Sequence, residues 1–159
     1  MLAGKFSEAL AQSEKASEID RDEAHTNLGI TLLAMGRIDE GVKELEAAAK
    51  FGGSSFFKGN LAFAYALSGR KDEALKLAEE IKADKNEARA SYHLAYIYAG
   101  LGEKEQALNF LEKAYEEHAI IAYPLFTVEP FFASLRQDPR FKELAKKMGL
   151  DKSQPDIRL

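Results

Sequence analysis

GRKDEAL, residues 69–75, reads alone as the start of an amphipathic helix behind a glycine. Its recurrence decides the fold. Variants begin at Gly4 (GKFSEAL), Gly36 (GRIDEGV) and Gly102 (GEKEQAL), so the four glycines are separated by 32, 33 and 33 residues. Self-similarity at such a period marks stacked supersecondary units, none of which buries its apolar face alone. A solenoid is expected.

Each later glycine follows an alanine-rich apolar stretch: LGITLLAMG before Gly36, LAFAYALSG before Gly69 and LAYIYAGLG before Gly102. Glycine just past a helix adopts the left-handed backbone without a Cβ clash, so each should end one helix. Ser7, Asp39, Asp72 and Glu105 then stand where they would cap the next helix or favour its positive N-terminus. Within the second helices, Ala74, Leu75, Ala78 and Ile81, and likewise Ala107, Leu108, Leu111 and Ala114, recur at three- and four-residue spacing. That spacing makes one buried stripe, and the small Ala9, Ala74 and Ala107 let paired helices approach closely. EIDRDEA, KFGGSSFF and KADKNEA supply the turn residues between units. No stretch alternates as an exposed-face strand would, so the protein should be all α.

Composition narrows the function. The chain has 159 residues, 46% hydrophobic and 30% charged, with a net charge of −4. An acidic balance argues against binding a phosphate backbone, which needs a concentrated basic surface. Residues 136–159 carry seven basic and four acidic side chains, a mild excess that a solvated helix face explains. No run approaches the roughly 18 apolar residues of a membrane span, and MLAGKFSEALAQSEKAS has no apolar core of secretory length. Cysteine is absent, which excludes disulfides and thiol chemistry and fits a reducing compartment. The expected setting is cytoplasmic, with no membrane and no nucleic-acid partner.

At this level of detail the residues resemble the tetratricopeptide repeat, a helical hairpin of about 34 residues. In SYHLAYIYAGLGEKEQALNFLEKAYE, Leu94, Ala95, Tyr98, Gly102, Ala107, Leu111 and Ala114 all fall in the family's register. Leu28, Gly29, Leu32, Gly36, Leu45 and Ala48 match in the preceding TNLGITLLAMGRIDEGVKELEAAAK, where Gly41 replaces the second-helix alanine. Leu61, Ala62, Tyr65, Gly69 and Ala74 match in between, with Ala78 and Ile81 inverting the usual large-then-small order. The resemblance implies a right-handed α-solenoid of antiparallel hairpins and a single domain over 1–159. Its parts would be a second helix of a truncated repeat (1–20), three repeats (21–53, 54–85 and 86–118), capping helices (119–150) and a flexible tail (151–159). The repeats depart from the family in their shorter period and in lacking its terminal proline. Because GKFSEAL has no first helix before it, the chain reads as the C-terminal piece of a longer array, or as one whose opening helix is covered by something else.

PLFTVEPFFASLRQDPRFKELAKKMGL resembles a closing segment that follows such arrays in multidomain prokaryotic signalling proteins, among them regulators, nucleotide cyclases and kinases. Val128, Pro130, Phe132, Leu135, Arg136, Asp138, Pro139, Arg140, Phe141, Leu144, Met148, Gly149 and Leu150 carry the match. Its physics is legible without the family. Asp138 is a good N-cap with Pro139 at the first helical position. Phe131, Phe132, Leu135, Phe141 and Leu144 offer apolar surface to the open end of the array.

Nothing in the sequence assembles an active site. His25, His93 and His118 are dispersed, no metal-ligand spacing occurs, and FGGSSFFKG lacks the Lys-Ser/Thr of a phosphate loop. His25 and His118 should face solvent. No catalytic residue, metal site or cofactor is therefore expected.

The resemblance directs attention to the groove lined by first helices. Its four registers read Glu23, Phe56, Arg89; Thr26, Gly59, Tyr92; Asn27, Asn60, His93; and Ile30, Phe63, Tyr96. The peptide-binding residues expected from these are Asn27, Ile30, Asn60, Phe63, Arg89, Tyr92, His93 and Tyr96. Asparagines would grip a peptide backbone and aromatic walls would supply contact area. Tyr92 and Tyr96 are expected to stand open in this groove, and Phe63 to pack between helices. Arg89 alone cannot form the cationic clamp by which some relatives hold a C-terminal carboxylate. The expected function is a non-enzymatic scaffold for a protein or peptide partner. The alternative is self-assembly, as a homodimer through Phe6 and Leu10 of the opening helix or as the structural module of a larger signalling protein.

Overall fold

The structure, a computed structural model, describes residues 21–51, 54–84, 89–119 and 130–150. Among these residues all regular structure is helical. Three hairpins follow one another: α1 (Arg21–Ala34) with α2 (Ile38–Phe51), α3 (Ser55–Leu67) with α4 (Lys71–Ala83), and α5 (Ala90–Gly100) with α6 (Lys104–Glu116). A single 3-10 turn, η1 (Pro130–Phe132), and a last helix, α7 (Pro139–Lys147), complete the described chain.

The repeated glycine does what the sequence requires of it. Gly36, Gly69 and Gly102 have φ of 75°, 81° and 78°, the left-handed region a side chain disfavours. Behind each, two amides return to the helix they leave. The Arg37 N–H donates to Leu32 O at 2.9 Å and that of Gly36 to Leu33 O at 3.0 Å, with the same pair repeated at Arg70–Tyr65 and Glu103–Tyr98. These are Schellman turns, which satisfy carbonyls that would otherwise end unpaired. A fourth turn closes α6 with His118 in the glycine position, at φ 59°.

The acidic residues after the glycines lie in the first turn of their helices and not at the cap. Asp39, Asp72 and Glu105 occupy the opening turns of α2, α4 and α6, while Arg70 and Glu103 stand at the caps of α4 and α6 without a side-chain cap bond. They act through the helix dipole. Asp138, by contrast, is a true N-cap: its carboxylate accepts from the Arg140 N–H at 2.8 Å, with Pro139 first in the helix.

Within a hairpin the helices meet on small residues. In α1 and α2 they are Gly29 and Gly41, where an added Cβ would press Leu45 and Leu33 respectively at under 3 Å. The corresponding pairs, Ala62 with Ala74 and Ala95 with Ala107, are completely buried. Gly41 thus stands where the next two hairpins have Ala74 and Ala107. Large side chains fill the rest of the core, with Leu45, Ile81, Leu108 and Leu111 almost wholly enclosed. Each contributes on the order of 1.5–3 kcal/mol through apolar burial.

The closing elements extend the row: η1 packs on α5, and α7 on α6. Phe132, Leu135, Phe141 and Leu144 are buried there and Phe131 is half-buried.

Candidate interaction surface

The sequence-derived registers fall on or at the start of the first helices α1, α3 and α5, and the repeats differ sharply in how they expose them. In α1, Glu23 and Asn27 are exposed and Ile30 is half-buried, while Thr26 is fully enclosed. In α3, Phe56 is 40% exposed, but Asn60 is buried and its amide nitrogen donates to the Phe56 carbonyl of its own helix at 2.8 Å. A peptide-gripping role for the Asn60 amide nitrogen is thereby corrected, because the first turn of α3 already uses it. Arg89 is exposed at the start of α5.

The α5 aromatics depart most from expectation. Tyr92 and Tyr96 are 4% and 2% exposed, so the reading that they stand open is corrected. The reason is the closing segment. Phe131 stacks on Tyr96 with ring centroids 4.9 Å apart and meets Phe63 edge-on at 4.8 Å. Phe132 meets Tyr92 at 5.9 Å. Phe63 packs between helices as expected, edge-on to Tyr96 and against Gly100, where an added Cβ would come within 2.8 Å of its ring. His93 is buried beside Tyr92 and Tyr96. Offset and edge contacts of this kind add about 0.5–1.5 kcal/mol per pair beyond burial.

Glutamates of the second helices form a polar ladder. Glu46, Glu79 and Glu112 recur every 33 residues, and each accepts from a cation. Glu46 takes Arg70 at 2.9 Å and the Tyr65 hydroxyl at 3.0 Å, and the Arg70 guanidinium lies 3.9 Å above the Tyr65 ring. Arg70 also clasps Glu73. Burial first, and then the bond to Glu46, push the Tyr65 hydroxyl up to about 12.

At Glu79 the partner is Lys82, whose ammonium also donates to the Tyr98 hydroxyl at 3.1 Å. At Glu112 it is Arg140, with a two-pronged grip at 2.9 and 2.7 Å and further bonds to Glu105 and Asn109. The Arg140 fork is chiefly what holds the Glu112 carboxyl below the usual range. Exposed pairs of this kind are worth up to about 1 kcal/mol each. Sequence reasoning did not single out these carboxylates. Their 33-residue spacing was the available signal.

His118 is exposed as expected, whereas His25 is half-buried and its Nδ1 lies 2.7 Å from Glu44 Oε2. Among the described residues no group of three potential ligands could hold a metal ion, and no helix is long and apolar enough to cross a membrane. Phe6 and Leu10 lie outside the described residues.

Two family profiles, each described as a tetratricopeptide repeat, match the chain over residues 88–117 and 57–80. These spans fall on the second and third described hairpins. No curated protein and no solved structure matches it.

Proposed function

We propose that this tetratricopeptide repeat protein is an interaction module whose first-helix face takes a peptide or helix of another protein. Repeats of this family generally mediate protein–protein contact and are generally not enzymes. The observation that carries the reading is the uneven exposure of that face. Across α1 and the start of α3, the exposed Asn27 and Phe56 and the half-buried Ile30 combine a hydrogen-bonding amide with apolar area. An acidic, cysteine-free chain supports a protein partner in a reducing, cytoplasmic setting over a nucleic acid.

Site-specific photocrosslinking tests this, with the photoreactive residue at Phe56 and, as a control, at the exposed Lys76 of α4. A defined partner should crosslink from Phe56, and Asn27→Ala should reduce the yield. Equal yield from Lys76 would place the contact elsewhere. Light scattering over a dilution series separates a second copy of the chain from a different partner.

A further inference from the structure

At the end of the first-helix face the chain places one of its own side chains where a partner would bind. The cradle there has walls from two repeats: Phe63 on α3 and Tyr96 on α5. Helix packing contributes to holding its walls. Tyr96 lies across Gly59 and Phe63 across Gly100, each so closely that a Cβ on the glycine would overlap the ring or its hydroxyl. A preformed aromatic recess of this kind loses little order when it takes a ligand.

Its occupant, Phe131, belongs to a three-residue turn, whereas the described first helices run to 11–14 residues. The division of labour inside that turn is the telling feature. Phe132 and Leu135 are fully buried, and Arg140 grips Glu112 of α6, so the closing segment is anchored without Phe131. Phe131 itself is only half-buried, yet it contacts Phe63 and Tyr96 together.

We propose that Phe131 is an intramolecular ligand of this cradle, and that the partner taken there is a peptide segment presenting an aromatic side chain, which displaces Phe131. This rests on the reading of the first-helix face as the interaction surface. A tethered occupant has an effective concentration in the millimolar range, so it masks the cradle from weak ligands. A peptide binding the open cradle at about 100 μM would look about tenfold weaker on the intact chain.

The probe is the chain's own segment in trans, VEPFFASLR (residues 128–136), carrying a fluorophore for anisotropy. The full chain with Phe131→Ala should bind it about tenfold more tightly than the wild type, and a peptide with its first phenylalanine replaced by alanine should lose that gain. A folded Phe131→Ala protein that binds no more tightly than wild type overturns the proposal. The chain has no tryptophan, so Phe131→Trp supplies a sole indole and decides the matter if the alanine variant does not fold. A red shift of its emission on adding peptide supports displacement, and unmoved emission up to millimolar peptide overturns it. Loss of peptide binding with crosslinking from Phe56 intact would sink this inference alone. Loss of the Phe56 crosslink would instead sink the reading beneath it.

Discussion

Gly59→Ala is the sharpest test of how α3 and α5 interlock. In an ordinary helix interior this change stabilises by about 1 kcal/mol, because alanine is the better helix former. Here the new methyl group would overlap the Tyr96 hydroxyl oxygen and stand 3.2 Å from Cζ of the same ring and 3.3 Å from His93 Cβ. Tyr96 has little room to retreat, since Phe131 stacks on it and Phe63 meets it edge-on. Overpacking a pinned site costs about 1–3 kcal/mol, here at the upper end, so the net effect is a loss of about 2 kcal/mol.

With a urea m-value of about 2 kcal/mol/M, the unfolding midpoint should fall by about 1 M at unchanged slope. Adding Tyr96→Phe removes the overlapping oxygen and leaves the 3.2 Å contact to the ring, which a small ring shift relieves, and the 3.3 Å contact to His93 Cβ. The double variant should recover about 1–2 kcal/mol, a coupling that separate, non-touching residues would not show. A Gly59→Ala protein as stable as wild type, or more so, would mean that Tyr96 does not lie across Gly59 and would remove the basis of the cradle.

Three further outcomes follow from other parts of the molecule. His118→Gly should stabilise by about 0.5–1 kcal/mol, visible as a Tm rise of about 2 °C, because a side chain at φ 59° is strained and glycine is not. Arg140→Ala should cost about 1 kcal/mol and flatten the acid limb of the stability curve. Glu112, held low by Arg140, contributes stability that is present above the ordinary carboxylate value of 4.5 and lost as pH falls through its lower folded value. Tyr65 has the opposite sign: its neutral form is favoured in the fold, so its contribution is complete below pH 10 and disappears as pH rises through about 12. Tyr65→Phe should remove that part of the alkaline destabilisation, and phenolate absorbance should lose one tyrosine that titrates at about 12.

The hairpins were legible because their signals are local. A glycine after an apolar helix has few alternatives to the left-handed turn, as Gly36, Gly69 and Gly102 show, and Asp138-Pro139 can hardly be read except as a helix start. What stayed hidden depends on pieces distant in sequence. Register alone places Tyr92 and Tyr96 on the first-helix side, but their exposure depends on whether a turn some 35 residues later folds back over them. The same holds for Glu112, whose partner Arg140 lies 28 residues on, and for Glu46, shared by Tyr65 and Arg70 from the next hairpin. A helical charge run is usually solvated, and only the 33-residue recurrence sets these carboxylates apart.

The central claim is that the closing turn occupies the aromatic cradle at the end of the first-helix face. Aromatic NOE spectroscopy on the intact, selectively labelled chain tests it most directly. The account predicts cross-peaks from the Phe131 ring to both Tyr96 and Phe63, whose ring centres lie 4.9 and 4.8 Å away. A Phe131 ring with no cross-peak to either, in a protein whose Phe63 and Tyr96 rings still see each other, would contradict it.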